Sequence, residues 1–318
     1  MKISRLKKIM PPGPPGLPLL GNMFQVGSFQ WLQFTKWKEQ YGPIISINLA
    51  GQPIVVLNDF ATAGDLIGEW RRMRRAGHEG FSVRAAATYQ PLQEKESALL
   101  ALHCLQEPDN WDDHLRRSAA STVLCAVYGW LSIDKSTDPF VNRINQLMHR
   151  LVQAALPGSF LVELFPSMLY LPDWMARWKR EGRAWFMKDT KMFEDLLADV
   201  QNKMRAGTAE PCFAATLLED EKKYGLNKQE VAWLAGTMFG AGAETTAAAL
   251  SNFILAMVLY PDVMLRAQAQ IDTVVGRDRL PNFGDRERLP YIEAMVKEVH
   301  RWRPVGPMGL PRCSTQVH

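Results

Sequence analysis

The stretch from Trp233 to Tyr260, WLAGTMFGAGAETTAAALSNFILAMVLY, is almost wholly apolar and carries one acid, Glu244, followed by Thr245 and Thr246. Just upstream, Asn227 and Glu230 have the Asn-x-x-Glu spacing of a capping box, in which the Asn side chain accepts from a free N–H of the first turn and the Glu reaches back to the cap. Downstream, Pro261 pushes Tyr260 out of the helical region. The pattern predicts one helix of roughly 34 residues, ~50 Å long at ~1.5 Å per residue. An element of that length crosses a whole domain, so the rest of the chain has to be arranged around it.

The middle of this helix departs from helix preference. Gly236, Gly240 and Gly242 each cost up to ~1 kcal/mol relative to alanine, and a mid-helix threonine tends to bond back to the carbonyl one turn earlier. Glu244 in so apolar a setting needs a partner or solvent. Three readings fit. A membrane span has the length, but Glu244 and Asn252 sit near its centre and no second span accompanies it. A plain core helix leaves the glycines without a role. A helix whose glycine run lets another group lie close to its backbone, or opens a groove, accounts for glycines and acid together.

The 318 residues can form one large domain or two small ones. Hydrophobic and charged contents of 47% and 22% are those of a globular chain, and a net charge of +4 is too mild to point to nucleic acid. Cys104, Cys125, Cys212 and Cys313 are scattered, without C-x-x-C or zinc spacing, which predicts reduced thiols and no metal site. The first ten residues, MKISRLKKIM, are basic and lack the apolar run of a signal peptide or anchor.

Along the chain, residues 1–22 are basic and then proline-dense (Pro11 to Pro18), without helix or strand periodicity, and read as an extended hinge or linker before a domain over 23–318. Trp31, Phe34 and Trp37 mark a short amphipathic helix. Ile45, Ile47 and Leu49, the turn Ala50-Gly51-Gln52, and Pro53 to Leu57 form a hairpin signal. Asp59 to Ile67 reads as a helix start. Trp70 and Arg74 stand four apart in a basic run and share one helix face. Ala85 to Tyr128 reads as two helices broken at Glu107–Asn110, with His114, Arg116 and Arg117 as surface groups. Another helix follows from Phe140 to Leu156. Leu161 to Trp185 is rich in aromatics interleaved with Lys179, Arg180 and Arg183, which fits either an interfacial segment dipping into lipid headgroups or a core segment with snorkelling bases. After the long helix come a helix ending at Gly276, a polar loop from Arg279 to Arg288, and a helix opened by Pro290 with Ile292, Met295, Val296 and Val299 on one face. Glu298 and Arg301 pair three residues apart on it, just before Arg303-Pro304.

Ala241 to Thr246, AGAETT, resembles the oxygen-activating (A/G)-G-x-(D/E)-T-(T/S) signature in the central helix of the cytochrome P450 family. The same family has a proline hinge like Pro11–Pro18, a W-x-x-x-R motif like Trp70 and Arg74, and an E-x-x-R helix like Glu298 and Arg301. These occur here in the family's order, and the resemblance, to fungal microsomal members in particular, covers nearly the whole chain. It implies a mainly α fold with a small β-hairpin, an incomplete cytochrome P450 fold. It also implies haem-dependent monooxygenation of a lipophilic substrate, with NADPH-cytochrome P450 reductase as electron donor, in a monomer at the endoplasmic reticulum membrane. By the resemblance Glu244 and Thr245 deliver protons, and Ala241 and Gly242 make room over the haem face. Trp70, Arg74 and Arg312 bind haem propionates, Glu298 and Arg301 join a buried structural network, and Val305, Gly306, Pro307 and Leu310 line the substrate site. The segment around Leu161 to Trp185 faces the membrane in this family.

The sequence departs from the pattern in three places. No transmembrane anchor precedes Pro11, few residues separate Asp65 from Trp70 where the family has a helix and a long loop, and the chain ends 17 residues after Arg301. The F-x-x-G-x-R-x-C-x-G loop, whose cysteine thiolate holds the iron in the family, has no match, and no other cysteine has the surrounding glycines. The expectation is therefore a truncated member. Its alternative to catalysis is a non-catalytic remnant that binds no haem.

Overall fold

The computed structural model describes residues 10–18, 20–27, 29–59, 76–78, 80–130, 133, 139–155, 159–219 and 221–307. The described residues divide into two compact units, one within Met1–Arg71, Val152–Gly182 and Pro307–His318, the other within Arg72–Leu151 and Arg183–Gly306. The expected mainly α fold with one small hairpin is what these residues form.

In the first unit, helix α1 (Gln30–Tyr41) precedes an antiparallel hairpin of β1 (Ile44–Leu49) and β2 (Gln52–Leu57). Leu49 pairs with Gln52 across Ala50 and Gly51, which both have positive φ (49° and 97°), the sign pattern of a two-residue I′ turn. Phe34 and Trp37 of α1 bury against Ile45 and Ile47 of β1. The proline stretch is docked on this hairpin rather than running free. The Ser46 hydroxyl donates to the Pro11 carbonyl (2.6 Å), the Ser46 amide to Pro12 (3.0 Å) and Asn22 Nδ2 to Pro14 (3.0 Å). Gly13 is required there, because a Cβ would stand 1.9 Å from the Ser46 carbonyl oxygen.

Also in this unit, a short helix α6 (Leu161–Leu164) and a 3-10 turn (Pro166–Tyr170) lead to the first residues of the long helix α7 (Arg177–Ala206). Their aromatics are exposed, Tyr170 by 91% and Trp174 by 75%, so the segment is not core. The bases beside them are engaged: Lys179 Nζ donates to the carbonyls of Leu169 and Leu171, and Arg180 Nη1 to those of Asp173 and Trp174. Each base closes the loop that precedes it.

The second unit is helical. It contains α2 (Val83–Thr88), α3 (Gln90–Gln106), α4 (Trp111–Tyr128), α5 (Pro139–Ala155), most of α7, α8 (Phe213–Glu219) and α9 (Glu221–Tyr224). Then come α10 (Lys228–Leu259), α11 (Pro261–Val274) and α12 (Pro290–Trp302). Helix α10 is the predicted long element. Asn227 Oδ1 accepts from the Glu230 amide (2.9 Å), Glu230 Oε2 accepts from the Asn227 amide (2.7 Å), and the helix stops before Pro261. By length and composition α10 could cross a membrane, but here its first half is core: Val231, Ala232, Ala235 and Phe239 are buried among α4, α7 and α8 side chains such as Leu124, Phe193 and Phe213.

The glycines set how closely the neighbours approach. A Cβ at Gly236 would lie 2.3 Å from the Phe193 ring of α7, one at Gly240 2.8 Å from Met148 Sδ of α5, and one at Gly242 2.9 Å from Val123 Cγ2 of α4. The close approach expected of this run is made by three neighbouring helices.

Two further assignments change. Arg117 is not a surface group: it is 1% exposed, and its Nη1 donates to Glu96 Oε2 (3.0 Å) and the Ile133 carbonyl (2.7 Å). His114 is buried too, with Nε2 3.0 Å from the Glu107 carbonyl. The polar loop from Arg279 closes through a 3-10 turn (Phe283–Arg288) around buried Asp285, which accepts from Arg279, Arg288 and the Asn282 amide.

Candidate functional site

The middle of α10 places the AGAETT residues in three distinct surroundings. Gly242 faces α4, and Ala243 and Ala247 are buried. Ala241 and Thr245, one turn apart, are exposed side by side with Thr246 on the adjoining surface. The Thr245 hydroxyl donates to the Ala241 carbonyl (2.8 Å), the back-bond expected of a mid-helix threonine. That bond uses the proton of the hydroxyl and leaves its oxygen able to accept from a group on the exposed side.

Glu244 is half-buried and partnered, as its setting demands. Its Oε2 lies 3.5 Å from Nη1 of Arg116 on α4, and Arg116 Nε bonds Asp112 Oδ2 at 2.9 Å. The hydrogen bond to Asp112, reinforced by the Asp112 and Glu244 charges, raises the Arg116 pKa above its ordinary value. Arg116 was read from the sequence as a surface group. The signal that could have found it is the Asp112–Arg116 i, i+4 spacing; its reach to α10 is a tertiary fact.

The pair Glu298–Arg301 forms on α12, with Arg301 Nε and Nη2 donating to the carboxylate at 2.7 and 2.6 Å. The expected burial is not present. The side chains are 57% and 72% exposed, because α12 buries Met295 and Val299 and so turns Glu298 and Arg301 outward. Asn252 Nδ2 donates to the Arg303 carbonyl (3.1 Å), which ties the chain leaving α12 to α10 two turns beyond Thr245. Val305 is half-exposed, and Gly306 and Pro307 are exposed. Trp70, Arg74, Leu310, Arg312 and the expected helix start from Asp59 to Ile67, beyond Asp59 itself, lie outside the described residues.

Among the described residues, the Ala241–Thr245 surface could lie against one face of a haem, and no described cysteine suits the other. The Ala241–Thr245 surface is thin, exposed and carries a hydroxyl beside a carboxylate-bearing turn. An axial thiolate is not offered by the described cysteines. Cys125 and Cys212 are buried, Cys104 is half-buried, and burial pushes all three thiols upward, Cys125 to about 11. Cys313 lies outside the described residues. Among the described residues no cluster of three or more His, Cys, Asp or Glu could hold a metal ion.

The family model described as Cytochrome P450 matches residues 11–74 and 65–318, two stretches that overlap over 65–74. Cytochrome P450 monooxygenase 58 of Postia placenta is 53% identical over 99% of this chain and 66% of its own length. A cytochrome P450 monooxygenase of Armillaria gallica is 44% identical over 96% of this chain and 66% of its own length. The multifunctional cytochrome P450 monooxygenase af510 of Aspergillus fumigatus is 32% identical over 99% and 67%. The chain thus spans about two thirds of the length of these curated relatives. With the family model matching nearly from end to end, the chain belongs to the cytochrome P450 family, for which haem is the implied cofactor.

Proposed function

We propose that this chain carries the oxygen-activating half of a haem-dependent monooxygenase that inserts one atom of O2 into a lipophilic substrate and releases the other as water. The observation that carries the reading is the exposed Ala241–Thr245 face in the middle of α10, with Glu244 on the same turn. Haem, when bound, supplies the activation of O2. Everything else falls to this chain's side chains.

Releasing one oxygen atom as water takes two protons, and an exposed apolar surface has none to give. With its own proton held by the Ala241 carbonyl, Thr245 can accept a hydrogen bond from a water on its free lone pairs and so position that water to give up its other proton. Glu244 is the group that replenishes that proton from the α4 side. Ala241, with its minimal side chain, keeps the turn before Thr245 thin enough for a flat ligand to lie against it, while the bare Gly242 lets α4 pack on the other side. Trp70, Arg74 and Arg312 would hold the propionates, a task suited to guanidinium forks. Val305, Gly306, Pro307 and Leu310 would contact substrate. Glu298 and Arg301 would serve structure rather than chemistry.

Electrons would come from NADPH through a reductase, and the protein would act as a monomer without nucleic acid. Peripheral contact with the endoplasmic reticulum membrane is supported by the exposed Phe165, Leu169, Tyr170 and Trp174. Insertion would rest on those aromatics, since Lys179 and Arg180 are occupied by backbone carbonyls.

The described cysteines favour a second reading, a chain that binds no haem, because each is held as a thiol. One experiment separates the two. Purified protein is titrated with haem and examined by carbon monoxide difference spectroscopy. Saturable haem binding, together with a loss of product per NADPH in Thr245→Val, is the expected result of the first reading. Absence of any saturable haem binding establishes the second.

A further inference from the structure

His103, in the last turn of α3, and His114, in the first turn of α4, meet across the turn that joins the two helices. Their ring centroids are 5.5 Å apart and the planes are inclined at 44°, so the rings do not stack flat. His114 Nε2 lies 3.0 Å from the Glu107 carbonyl oxygen. A carbonyl only accepts, so Nε2 carries the proton, and in the neutral ring Nδ1 keeps its lone pair. Nδ1 of His114 and both nitrogens of His103 have no hydrogen-bond partner among the described residues. The turn also closes without the rings: the Asn110 amide donates to the Glu107 carbonyl (3.1 Å) and Asn110 Nδ2 to the Glu107 carboxylate (3.0 Å).

We propose that His103 and His114 form a two-imidazole site for a divalent transition-metal ion of the Zn2+, Ni2+ or Cu2+ class, which fastens the tip of the α3–α4 hairpin. Metal–nitrogen bonds of ~2.0–2.1 Å at a tetrahedral angle put two imidazole centroids ~5 Å apart, close to the 5.5 Å found. A histidine that ligates a metal nearly always gives its other ring N–H to a carboxylate, a carbonyl or water, and the Glu107 carbonyl takes that part for His114. Imidazole donors select zinc, copper and nickel over the hard ions, which prefer oxygen. His114 is buried and His103 half-buried, so one ring is held by the protein while the other leaves the ion open to water. No third His, Cys, Asp or Glu among the described residues completes the set, and water takes the remaining positions. Occupation of this site needs no haem.

The test is denaturant unfolding of the whole chain, free of any histidine tag and without haem, in the presence and absence of Zn2+ or Ni2+. An ion that binds the native state should raise the folding equilibrium constant about tenfold at ~1 mM, as linkage requires for a Kd of ~0.1 mM. His103→Gln and His114→Gln should each abolish the rise, measured against the variant's own metal-free midpoint. His300→Gln, which removes an exposed histidine of α12, should leave it intact. Mg2+ at the same concentration should do nothing. Since His114→Gln also loses the bond to Glu107, His103→Gln decides the matter if the other variant fails to fold. Calorimetric titration of the folded chain should give one ion per chain, lost in His103→Gln. No rise with either ion overturns the proposal, and so does an equal rise with Mg2+. A rise that survives His103→Gln overturns it too, as an adventitious ion bound elsewhere.

Discussion

Gly242 of α10 and Val123 of α4 meet so closely that a Cβ on the glycine would stand 2.9 Å from one valine methyl and 3.0 Å from the other. Alanine there would gain up to ~1 kcal/mol of helix propensity and meet an overpacking cost of ~1–3 kcal/mol. The net effect of Gly242→Ala is a loss of about 1 kcal/mol, read as a lower denaturant midpoint at unchanged slope. In a Val123→Ala background the clash is gone, so the same substitution should turn neutral or stabilising. Gly236→Ala should cost more, since it meets the fully buried Phe193 ring at 2.3 Å.

Glu96 and Arg117 form a buried ion pair between α3 and α4, each side chain 1% exposed. Ser121 donates to the other carboxylate oxygen (2.8 Å) and accepts from the Ile133 amide (2.9 Å), so the pair also anchors the chain that leaves α4. Arg117 Nε and Nη2 are buried without a hydrogen-bond partner, which makes the guanidinium depend on Glu96. Glu96→Ala should therefore cost ~3–5 kcal/mol, because it strands a buried charge. Replacing both partners, Glu96→Leu with Arg117→Met, should recover most of that loss. Equal destabilisation in the single and double variants would show that the packing, not the charge, was at stake.

These cases show which features the sequence carried and which it could not. The bounds of α10 were legible because a capping box and a following proline are local chemistry, read within a few residues. So was the Glu298–Arg301 pair, a spacing on one helix. Its exposure was not, since that depends on which face of α12 the neighbours cover. Arg117 looked like half of a surface doublet because its partner, Glu96, is 21 residues upstream on another helix. The glycines announced a close approach at α10. What approaches, Val123, Met148 and Phe193, comes from three helices whose packing no local pattern specifies. The reach of Arg116 to Glu244 spans 128 residues and was illegible for the same reason.

Asp285 gives the fold an acid sensitivity with a definite sign. It accepts two bonds of 2.6 Å from Arg279, one from Arg288 and one from the Asn282 amide, and these hold its carboxyl well below the usual carboxylate range. A depressed folded pKa stabilises the protein above the unfolded value of about 3.9, and that contribution is lost as pH falls through the folded pKa. Melting temperature should accordingly drop between about pH 4 and the acid limit of folding. Asp285→Asn should be less stable at pH 7 and show a shallower acid slope than the parent. Glu293 and Glu298, lowered by Arg286 and Arg301, leave a residual slope in the variant. Identical slopes would remove Asp285 from the account.

The buried thiols make the last prediction, which bears on the axial ligand. Removal from water raises Cys125 to about 11, with the Glu96 charge adding to the rise, and burial raises Cys212 and Cys104 as well. A thiol held protonated neither alkylates nor ligates iron readily, since the thiolate is the reactive form. In a Cys313→Ser background at pH 8, iodoacetamide should modify half-exposed Cys104 first. Cys125 and Cys212 should react only in denaturant, as followed by mass spectrometry of the three peptides. Cys125→Ser and Cys212→Ser should then leave any haem spectrum of the protein unchanged. Rapid alkylation of Cys125 in the folded chain would show that it is not held as a buried thiol, and loss of a thiolate spectrum in Cys125→Ser would place the iron ligand on α4 and overturn the assignment of the haem to the exposed face of α10.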